Sequence, residues 1–370
     1  MIKNMFKICT IIGTRPEIIK LSSTIKKIDK YFKQVLVHTG QNYDYELNQV
    51  FFKDLNIRKP DFYLKSASYS TNSTIAKIIA NIDKIFLSEK PDCVLILGDT
   101  NSGLSAIAAK KRNIPIFHLE AGNRSFDQKV PEELNRKLID HCSDINFTYT
   151  NLAKKYLTQE GLYPDRVITV GSPMLEVIND QKLKINKSNI LKKLKLKKND
   201  YFLISFHREE NVDIKENLNK FFELVKWLKS ENKKKIVIST HYRTKKRIIE
   251  NSKDISFDKD IMFLNPFNFS DYIKLQKNSY IVLSDSGTLT EETSILKTKS
   301  IMLRNSHERP EGMEEATTIM CGLDQDKIQV AIKMLKSKTV HKLVKDYDTL
   351  YFSDKIVKNI LSYLNYTIRN

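Results

Sequence analysis

The stretch IPIFHLEAGNRSFDQKVPEELNRK, residues 114–137, joins an apolar run to a charged segment that contains a proline. The run 114–119 is continuously apolar apart from one histidine, which is typical of a strand buried on both faces of a sheet. Proline is favoured in the first turn of a helix, so a helix is predicted from Pro131. The stretch therefore predicts a buried strand, a polar loop and a helix.

The same alternation recurs along the whole chain. In the first half, amphipathic segments separate the apolar runs KICTIIG, QVLVHTG, DCVLILGD, IPIFHLE, INFTYT and RVITVGSP. The pattern then restarts with YFLISFH, KIVIST, IMFL, YIVLSDSG and SIMLR. Continuous apolar strands that alternate with helices predict parallel sheets covered by helices on both faces.

A chain of 370 residues is long for one core, so two domains are predicted. We expect an α/β fold of two Rossmann-like doubly wound domains facing a cleft, with domains 1–171 and 172–350. Ligands of open α/β sheets bind at the carboxyl ends of the strands. The final segment, 351–370, has helical apolar spacing.

Composition excludes several classes of protein. No apolar run approaches the ~20 residues that span a bilayer, and the N-terminus lacks a small-residue cleavage site after its apolar part, so we predict a cytoplasmic protein without membrane insertion. The four cysteines are scattered without a CxxC pair or a Cys/His cluster. This predicts free thiols and no metal site.

The net charge of +18 raises the question of nucleic-acid binding. Much of the excess lies in lysine runs at 191–200 and 230–237, which have few interleaved aromatic residues. Such runs are typical of solvated faces, so no nucleic-acid partner is predicted. A positive field also suits a polyanionic ligand such as a nucleotide diphosphate.

Polar and charged side chains follow nearly every predicted strand. The first strand precedes Gly13-Thr14-Arg15-Pro16-Glu17, where a helix N-terminus would offer N–H groups to an anion. A capped helix with surface charges explains this stretch equally well, as an N-cap explains Asp99. Neither GxxxxGK[ST] nor GxGxxG occurs here, which argues against a dinucleotide cofactor. Further strands precede HREEN (207–211), SDSGTLTEE (284–292) and RNSHERPEG (304–312).

These motifs occur together, in order, in one known family. GTRPEIIK, TGQ, GDTNS, HLEAGNRSFD…PEELNRK, HREEN, SDSGTLTEE and ERPEG resemble the non-hydrolysing UDP-N-acetylglucosamine 2-epimerase family over about residues 6–340. Asn123 follows EAG where that family usually has an apolar residue, and Glu209 replaces a frequent arginine. Both features resemble the branch that forms UDP-N-acetyl-L-fucosamine for capsule, O-antigen and lipopolysaccharide biosynthesis.

The resemblance implies a glycosyltransferase-B-like fold and inversion at C2 of UDP-2-acetamido-2,6-dideoxy-L-talose, without NAD or metal. UDP leaves C1 as C2 loses a proton, and it adds back to a 2-acetamidoglycal. The positions that match the family's catalytic groups are Asp99, Glu120, Glu132 and His207. Glu133 lies about 100° from Glu132 around a helix, which predicts a structural role.

The resemblance also implies substrate contacts, domain closure after Gly171, and a C-terminal helix that packs on the first domain. A homodimer is likewise implied. The substrate-binding positions are Arg15, Lys20, Gln41, Asn123, Arg124, Asp127, Arg136, Tyr272, Ser286, Gly287, Glu292 and Arg309. Tyr272 is expected to contact the uracil, and Phe269 is the other candidate.

Three alternatives remain at this point. The first is a UDP-N-acetylglucosamine 2-epimerase that forms UDP-N-acetylmannosamine. The second is a glycosyltransferase of the same architecture, which would need an acceptor. The third is a nucleic-acid-binding module, suggested by charge alone.

Overall fold

The computed structural model describes residues 6–41, 45–128, 130–240, 259–337 and 343–367. They divide into two compact units, Met1–Gln181 with Lys345–Asn370, and Lys182–Val344. The division lies later than the predicted boundary at 171/172. The helix Met174–Asp180 packs against the first helix of the chain and therefore belongs to the first unit.

The first unit contains a seven-stranded parallel sheet in the order β3-β2-β1-β4-β5-β6-β7. Its strands are β1 (Lys7–Ile12), β2 (Lys33–His38), β3 (Phe62–Tyr63), β4 (Cys93–Leu97), β5 (Ile116–Ala121), β6 (Ile145–Thr148) and β7 (Val167–Thr169). Its helices are α1 (Arg15–Tyr31), α2 (Tyr45–Asp54), α3 (Thr71–Glu89), α4 (Ala106–Lys111), α5 (Pro131–Cys142), α6 (Asn151–Gln159) and α7 (Met174–Asp180). Short 3₁₀ turns occur at Asn101–Ser105 and Pro164–Arg166.

The second unit contains a six-stranded parallel sheet in the order β10-β9-β8-β11-β12-β13. Its strands are β8 (Tyr201–Ser205), β9 (Lys235–Ser239), β10 (Ile261–Leu264), β11 (Ile281–Ser284), β12 (Ser300–Met302) and β13 (Ile319–Met320). Its described helices are α8 (Lys182–Lys187), α9 (Ile190–Lys193), α10 (Glu209–Val212), α11 (Lys215–Asn232), α12 (Phe269–Asn278), α13 (Leu289–Leu296), α14 (Pro310–Glu314) and α15 (Gln325–Lys336).

Each sheet reverses its strand order at one point, between β1 and β4 in the first unit and between β8 and β11 in the second. At such a point the helices that follow the two strands lie on opposite faces, which leaves a crevice at the carboxyl edge. The residues after these four strands are therefore the ones that each fold presents to a ligand.

The strands form because their apolar side chains are buried on both faces. The strand β4 is buried at all five positions, and α1 turns Ile18, Leu21, Ile25 and Ile28 towards the interior of the first unit at helical spacing. The second unit has its own core around β8 and α11. Each sheet is therefore stabilised by its own apolar cluster.

A C-terminal helix, α16 (Phe352–Thr367), belongs to the first unit and packs against α1. Glu176 on α7 holds its start, because its carboxylate accepts hydrogen bonds from the Ser353 N–H (2.8 Å) and hydroxyl (2.7 Å). A Cβ on Gly171 would lie 2.1 Å from Thr349 Oγ1. Gly171 thus lies inside the first unit and packs against its C-terminal segment, whereas a hinge was predicted directly after it.

Two further properties concern the described residues as a whole. Their cysteines are free thiols, with Cys9, Cys93 and Cys321 buried and Cys142 half-buried. None of their helices combines the length and apolarity that a membrane crossing requires.

Candidate active site

The turn after β1 is held by the carboxylate of Glu17. Its Oε2 accepts hydrogen bonds from the N–H groups of Gly13 and Thr14, and its Oε1 accepts one from the Thr100 hydroxyl. Burial raises the pKa of Glu17 to about 7 although these hydrogen bonds oppose the shift. Thr100 directly follows Asp99, so Glu17 connects the turns after β1 and β4, the two strands at the switch point.

Gly13 allows the segment after β4 to approach this turn closely. A Cβ on Gly13 would lie 2.0 Å from Ser102 Oγ and 2.3 Å from Thr39 Oγ1. Gln41, which the resemblance assigned to substrate binding, accepts hydrogen bonds through Oε1 from the Ser102 N–H (2.9 Å) and hydroxyl (3.0 Å). Gln41 therefore supports the turn that carries Asp99.

Asp99 forms an ion pair with Arg136, whose Nε lies 2.8 Å from Oδ2. Arg136 Nη1 also donates to Glu133 Oε2 at 2.8 Å. Glu133 is fully buried and accepts hydrogen bonds from the N–H and the hydroxyl of Ser125, both at 2.9 Å, which agrees with its predicted structural role. Two carboxylates engage the buried guanidinium of Arg136. This arrangement supports an orienting role for Arg136, which the resemblance assigned to substrate binding.

Glu120 lies at a bulge near the carboxyl end of β5. The pairing with β6 shifts register between Leu119 and Ala121, and Glu120 has a φ of 65°. Its Oε2 accepts a hydrogen bond from Lys20 Nζ at 2.6 Å, in an ion pair with side chains only 12% and 4% exposed. Asn123 Nδ2 lies 3.4 Å from the other carboxylate oxygen. Three residues predicted to touch the substrate are therefore adjacent in the first unit.

Arg124 is not placed to bind a substrate, contrary to the prediction. Its side chain is fully buried, with Nη1 donating to Asp140 Oδ2 (2.7 Å) and to the Asn123 carbonyl oxygen (2.8 Å). Nε and Nη2 bind both oxygens of Glu160 at 2.7 and 2.6 Å. Because these acceptors lie in α5 and just after α6, Arg124 anchors the start of the loop 123–128 to two helices.

The other predicted contacts of the first unit are more open. Arg15, Glu132 and Asp127 are each partly exposed. The Arg15 guanidinium lies 5.7 Å from the centroid of the Phe51 ring, which suits a cation–π contact. Glu132 precedes the buried Glu133 in the first turn of α5.

In the second unit, His207 follows β8 and lies beside the buried Asp285, which follows β11. The imidazole Nδ1 is 3.2 Å from Asp285 Oδ1. Burial favours a raised pKa for Asp285. The charge of His207 and hydrogen bonds from His207, Arg208 and Asn211 nevertheless hold the pKa at about 2. The Ser205 hydroxyl lies 3.4 Å from the same ring nitrogen, so two neighbours fix the direction of the imidazole.

The Ser286-Gly287 turn lies at the same edge of this sheet. A Cβ on Gly287 would be 3.0 Å from Glu308 Oε2, so the turn closely approaches that carboxylate. Glu292 is buried, accepting hydrogen bonds from the Thr288 hydroxyl (3.0 Å) and from Gln276 Nε2 (2.6 Å). The Glu292 carboxylate, a predicted substrate contact, is thus fixed in direction by its neighbours.

Arg309 and Phe269 are both buried. Arg309 Nη2 forms an ion pair with Glu291 Oε1 at 2.8 Å, with side chains 4% and 0% exposed. This buried pair supports a structural role for Arg309, which the resemblance assigned to substrate binding. Phe269 is buried, whereas Tyr272 is partly exposed, so Tyr272 is the better placed of the two to contact a base.

Sequence reasoning did not identify Glu17, Asp140, Glu160, Asp285 and Glu291, which hold the predicted residues in place. Asp285 could have been found, because it directly follows an apolar run in SDSG. The others lie within helices or at a helix end, where the sequence shows no sign of their partners. In the described parts of the chain, no group of three or more His, Cys, Asp or Glu side chains is arranged to hold a metal ion.

Two Rossmann-like parallel sheets with charged side chains at both switch points define a two-domain α/β protein of the class that binds its ligands at the carboxyl ends of the strands. A family model described as UDP-N-acetylglucosamine 2-epimerase matches residues 26–365. The chain belongs to the UDP-N-acetylglucosamine 2-epimerase family, whose members are isomerases that act at C2 of UDP-sugars. The predicted family and reaction class are therefore confirmed.

Solved structures agree in sequence and in fold. A UDP-N-acetylglucosamine 2-epimerase from Rickettsia bellii is 47% identical, with a TM-score of 0.92 and 99% of both chains covered. The Methanocaldococcus jannaschii enzyme in complex with UDP-GlcNAc and UDP is 35% identical, with a TM-score of 0.90, and the match covers 97% of this chain and 100% of that one. These matches confirm the predicted glycosyltransferase-B-like fold class.

A curated relative shows that similar chains act on other sugars. The UDP-2,3-diacetamido-2,3-dideoxy-D-glucuronate 2-epimerase of Pseudomonas aeruginosa is 32% identical over 97% of this chain and 99% of its own length. The family therefore shares the C2 reaction and differs in the sugar.

Proposed function

We propose that this isomerase converts UDP-2-acetamido-2,6-dideoxy-L-talose to UDP-N-acetyl-L-fucosamine by inversion at C2. The observation that carries the proposal is the group Lys20, Glu120 and Asn123 at the end of β5. It combines a carboxylate for proton transfer with the asparagine that, by resemblance, marks the fucosamine branch. The product would supply capsule or O-antigen synthesis.

The proposed reaction has two balanced steps. The C1–O bond to the diphosphate breaks with both electrons going to UDP, and C2 gives its proton to a base, which leaves a 2-acetamidoglycal. UDP then adds back to C1 while a proton reaches C2 on the opposite face. Inversion therefore requires acid and base groups on two faces, and each such group is worth roughly 10²–10⁴-fold in rate.

Three carboxylates of the first unit are proposed for these proton transfers. Glu120 is positioned by Lys20, and Asp99 is positioned by Arg136, so both have fixed directions and a cation that compensates their charge. Glu132 is partly exposed in the first turn of α5, where a helix N-terminus favours a negative charge. We assign Glu120 to C2 directly.

In the second unit, His207 is proposed to support the departing phosphate oxygen. Asp285 engages Nδ1 and orients the ring, and Nε2 is proposed to donate to the oxygen that acquires charge as the C1–O bond breaks. The Ser286-Gly287 turn and Glu292 are proposed to bind the phosphates and the ribose, and Tyr272 is proposed to contact the uracil.

A second candidate substrate is UDP-N-acetylglucosamine. It is favoured by the names of the Rickettsia bellii and Methanocaldococcus jannaschii relatives. Both candidates are 2-acetamido sugars, so the same carboxylates serve either one. The two substrates differ in how the sugar ring must be held. We propose that Asn123 discriminates between them.

The decisive experiment incubates the enzyme with each UDP-sugar separately in D₂O, without NAD or an acceptor, and follows C2 by proton NMR. Deuterium at C2 and formation of UDP-N-acetyl-L-fucosamine from the L-talose substrate support the proposal. Turnover of UDP-N-acetylglucosamine alone would replace the first substrate with the second. No exchange with either sugar would contradict both.

The resemblance also supports a homodimer in the cytoplasm. Light scattering coupled to size-exclusion chromatography tests the assembly, with the mass of the chain, 43.1 kDa, as the monomer reference. A single peak at the monomer mass would contradict the dimer.

A further inference from the structure

Glu120 is held in a backbone conformation that its residue type does not favour. A φ of 65° places it in the left-handed region, where a residue other than glycine is destabilised by about 1–3 kcal/mol. The bulge between β5 and β6 creates this conformation and aims the side chain out of the regular strand alternation. Such a conformation persists only when surrounding contacts enforce it.

The carboxylate of Asp140, on α5, contacts both sides of the bulge. His118, two residues before Glu120, places Nδ1 2.9 Å from Asp140 Oδ1. Gly122, two residues after Glu120, directs its N–H at both carboxylate oxygens at 3.3 Å. Arg124 completes the group, with Nη1 2.7 Å from Oδ2. One carboxylate thus holds three points of the chain around Glu120.

The residues around Asp140 also contact the end of β4, which carries Asp99. His118 Nε2 lies 2.9 Å from the carbonyl oxygen of Gly98, which directly precedes Asp99. Each ring nitrogen of His118 therefore faces an oxygen acceptor, the Asp140 carboxylate on one side and the Gly98 carbonyl on the other. Arg124 lies between Asp140 and Glu160 and pairs with both carboxylates.

We propose that Asp140, acting through His118, Gly122 and Arg124, is a positioning residue that aims Glu120 at C2. Its side chain is fully buried and touches no substrate in this scheme. The inference rests on the proposed function, because it assumes that Glu120 transfers the C2 proton. Its specific consequence is that disturbing Asp140 slows proton transfer without weakening the binding of UDP.

The first test is Asp140→Asn, which keeps the size of the side chain and removes its charge. We expect kcat for C2 deuterium exchange to fall roughly 100-fold, the loss typical of a small misplacement of a reacting group. KM and the UDP dissociation constant should stay within about threefold of the wild type. A kcat within threefold of the wild type, in a folded variant, would overturn the inference.

Asp144→Asn is the matched control. Asp144 also bonds the β5 strand, but at its start, where Oδ2 accepts from the Ile116 N–H at 2.9 Å. Its other oxygen pairs with Lys110 at 2.7 Å on the surface. We expect unchanged kcat and KM for this variant. An equal loss in both variants would mean that any disturbance of β5 suffices, which would also overturn the specific role of Asp140.

A second variant and a spectroscopic readout cover the case in which Asp140→Asn does not fold. Arg124→Lys keeps the charge but cannot fork between Asp140 and Glu160, so kcat should fall about 10-fold. Nitrogen NMR of His118, assigned by its loss in His118→Gln, should show a proton on Nδ1, the nitrogen that faces the Asp140 carboxylate. Wild-type kcat in Arg124→Lys, or a His118 ring without a proton on Nδ1, would overturn the inference.

Failure of the inference and failure of the proposed function give different results. If the wild-type enzyme shows no C2 exchange with any UDP-sugar, the proposed function fails. If the wild type exchanges C2 and the Asp140 and Arg124 variants do so at the same rate, only the inference fails.

Discussion

At the residue scale, the carboxylates near the carboxyl ends of β1, β4 and β5 differ in their surroundings. Glu120 is paired with Lys20, and Asp99 is paired with Arg136. Glu17 is bonded to N–H and hydroxyl groups instead, and burial raises its pKa to about 7. Residues of one chemical type can therefore transfer protons, stabilise a turn or titrate near neutral pH.

The two paired carboxylates give the first prediction. Glu120→Gln and Asp99→Asn should each lower C2 deuterium exchange by at least about 10²-fold, because an amide does not accept a proton in this pH range. UDP binding should be unchanged by calorimetry, since neither residue is proposed to bind the nucleotide. Retained exchange in both variants would remove these residues from the proton-transfer roles.

Glu17 predicts a specific pH dependence of stability. Its folded-state pKa of about 7 lies above the ordinary value of 4.5, so its protonated form favours the folded state. This contribution is complete below about pH 4.5 and is lost as the pH rises through about 7. At ~1.4 kcal/mol per pKa unit, the loss is about 3 kcal/mol.

Glu17→Gln imitates the protonated form at every pH. We therefore expect this variant to gain thermal stability relative to the wild type between about pH 5 and pH 8.5, measured by circular dichroism. Glu216→Gln is the control, because Glu216 forms an exposed pair with Lys220. A difference between wild type and Glu17→Gln that is the same at both pH values would contradict the prediction.

The buried position of Arg309 predicts that its replacement destabilises the second unit. Removing it leaves Glu291 buried without this cation, which costs about 3–5 kcal/mol in comparable pairs. Arg309→Ala should therefore lower the unfolding midpoint monitored by Trp227, the only tryptophan of the chain, which packs on the core of this unit. The double variant Glu291→Gln with Arg309→Gln should recover part of the loss. An unchanged midpoint in Arg309→Ala would show that the pair does not stabilise the unit.

At the element scale, helix α5 organises the loop 123–128. Glu133, Arg136 and Asp140 recur at i, i+3 and i+7, so they lie on one face of the helix. Through this face α5 contacts Ser125, Asp99 and the β5 bulge. Leu134 and Leu138 are exposed on the same helix. The helix thus uses its buried face for polar contacts that arrange the site.

This face predicts a change in substrate affinity. Glu133→Gln should weaken the contacts to the Ser125 N–H and hydroxyl and loosen the loop that carries Asn123. We expect KM for the UDP-sugar to rise about 10-fold, a loss of ~1.4 kcal/mol, with a smaller change in kcat. Lys137→Gln on the same helix is the control. A lower kcat with constant KM would assign Glu133 to the chemistry instead.

At the scale of the whole molecule, the net charge of +18 suits either UDP or a nucleic acid. Stabilisation by each ligand distinguishes the two partners. We expect UDP at 100 times its dissociation constant to stabilise the second unit by about 2.7 kcal/mol, seen as a higher Trp227 unfolding midpoint. Duplex DNA at physiological salt should not shift this midpoint. A shift with DNA and none with UDP would support nucleic-acid binding instead.

The sequence predicted most of the fold, because its strands are long enough to show a continuous apolar pattern. The two-residue strands Phe62–Tyr63 and Ile319–Met320 were missed, since two residues cannot show any periodicity. The polar segment after β4 likewise begins as a 3₁₀ turn, Asn101–Ser105, before the helix Ala106–Lys111. A local sequence pattern therefore identifies long, continuously apolar strands but not short ones.

The candidate site was predicted less completely. Glu120, Asp99 and His207 lie at strand ends, as their sequence positions indicated. Arg124 and Arg309 occur in equally suggestive positions, yet each binds carboxylates inside its own unit. Whether an arginine in a motif binds a ligand or stabilises the fold depends on which carboxylates pack against it. Those carboxylates are distant in the sequence.

The sequence by itself determined the two parallel sheets, the family and the strand ends that carry charged groups, because apolar periodicity and ordered motifs are local properties of the chain. Only the tertiary structure decided which of those charges face inwards. Asp140 reaches Glu120's neighbours because α5 packs beside β5, and Glu291 reaches Arg309 because α13 lies beside α14. Burial and pairing depend on such non-local packing, and they separate the carboxylates that can act on a sugar from those that hold the site together.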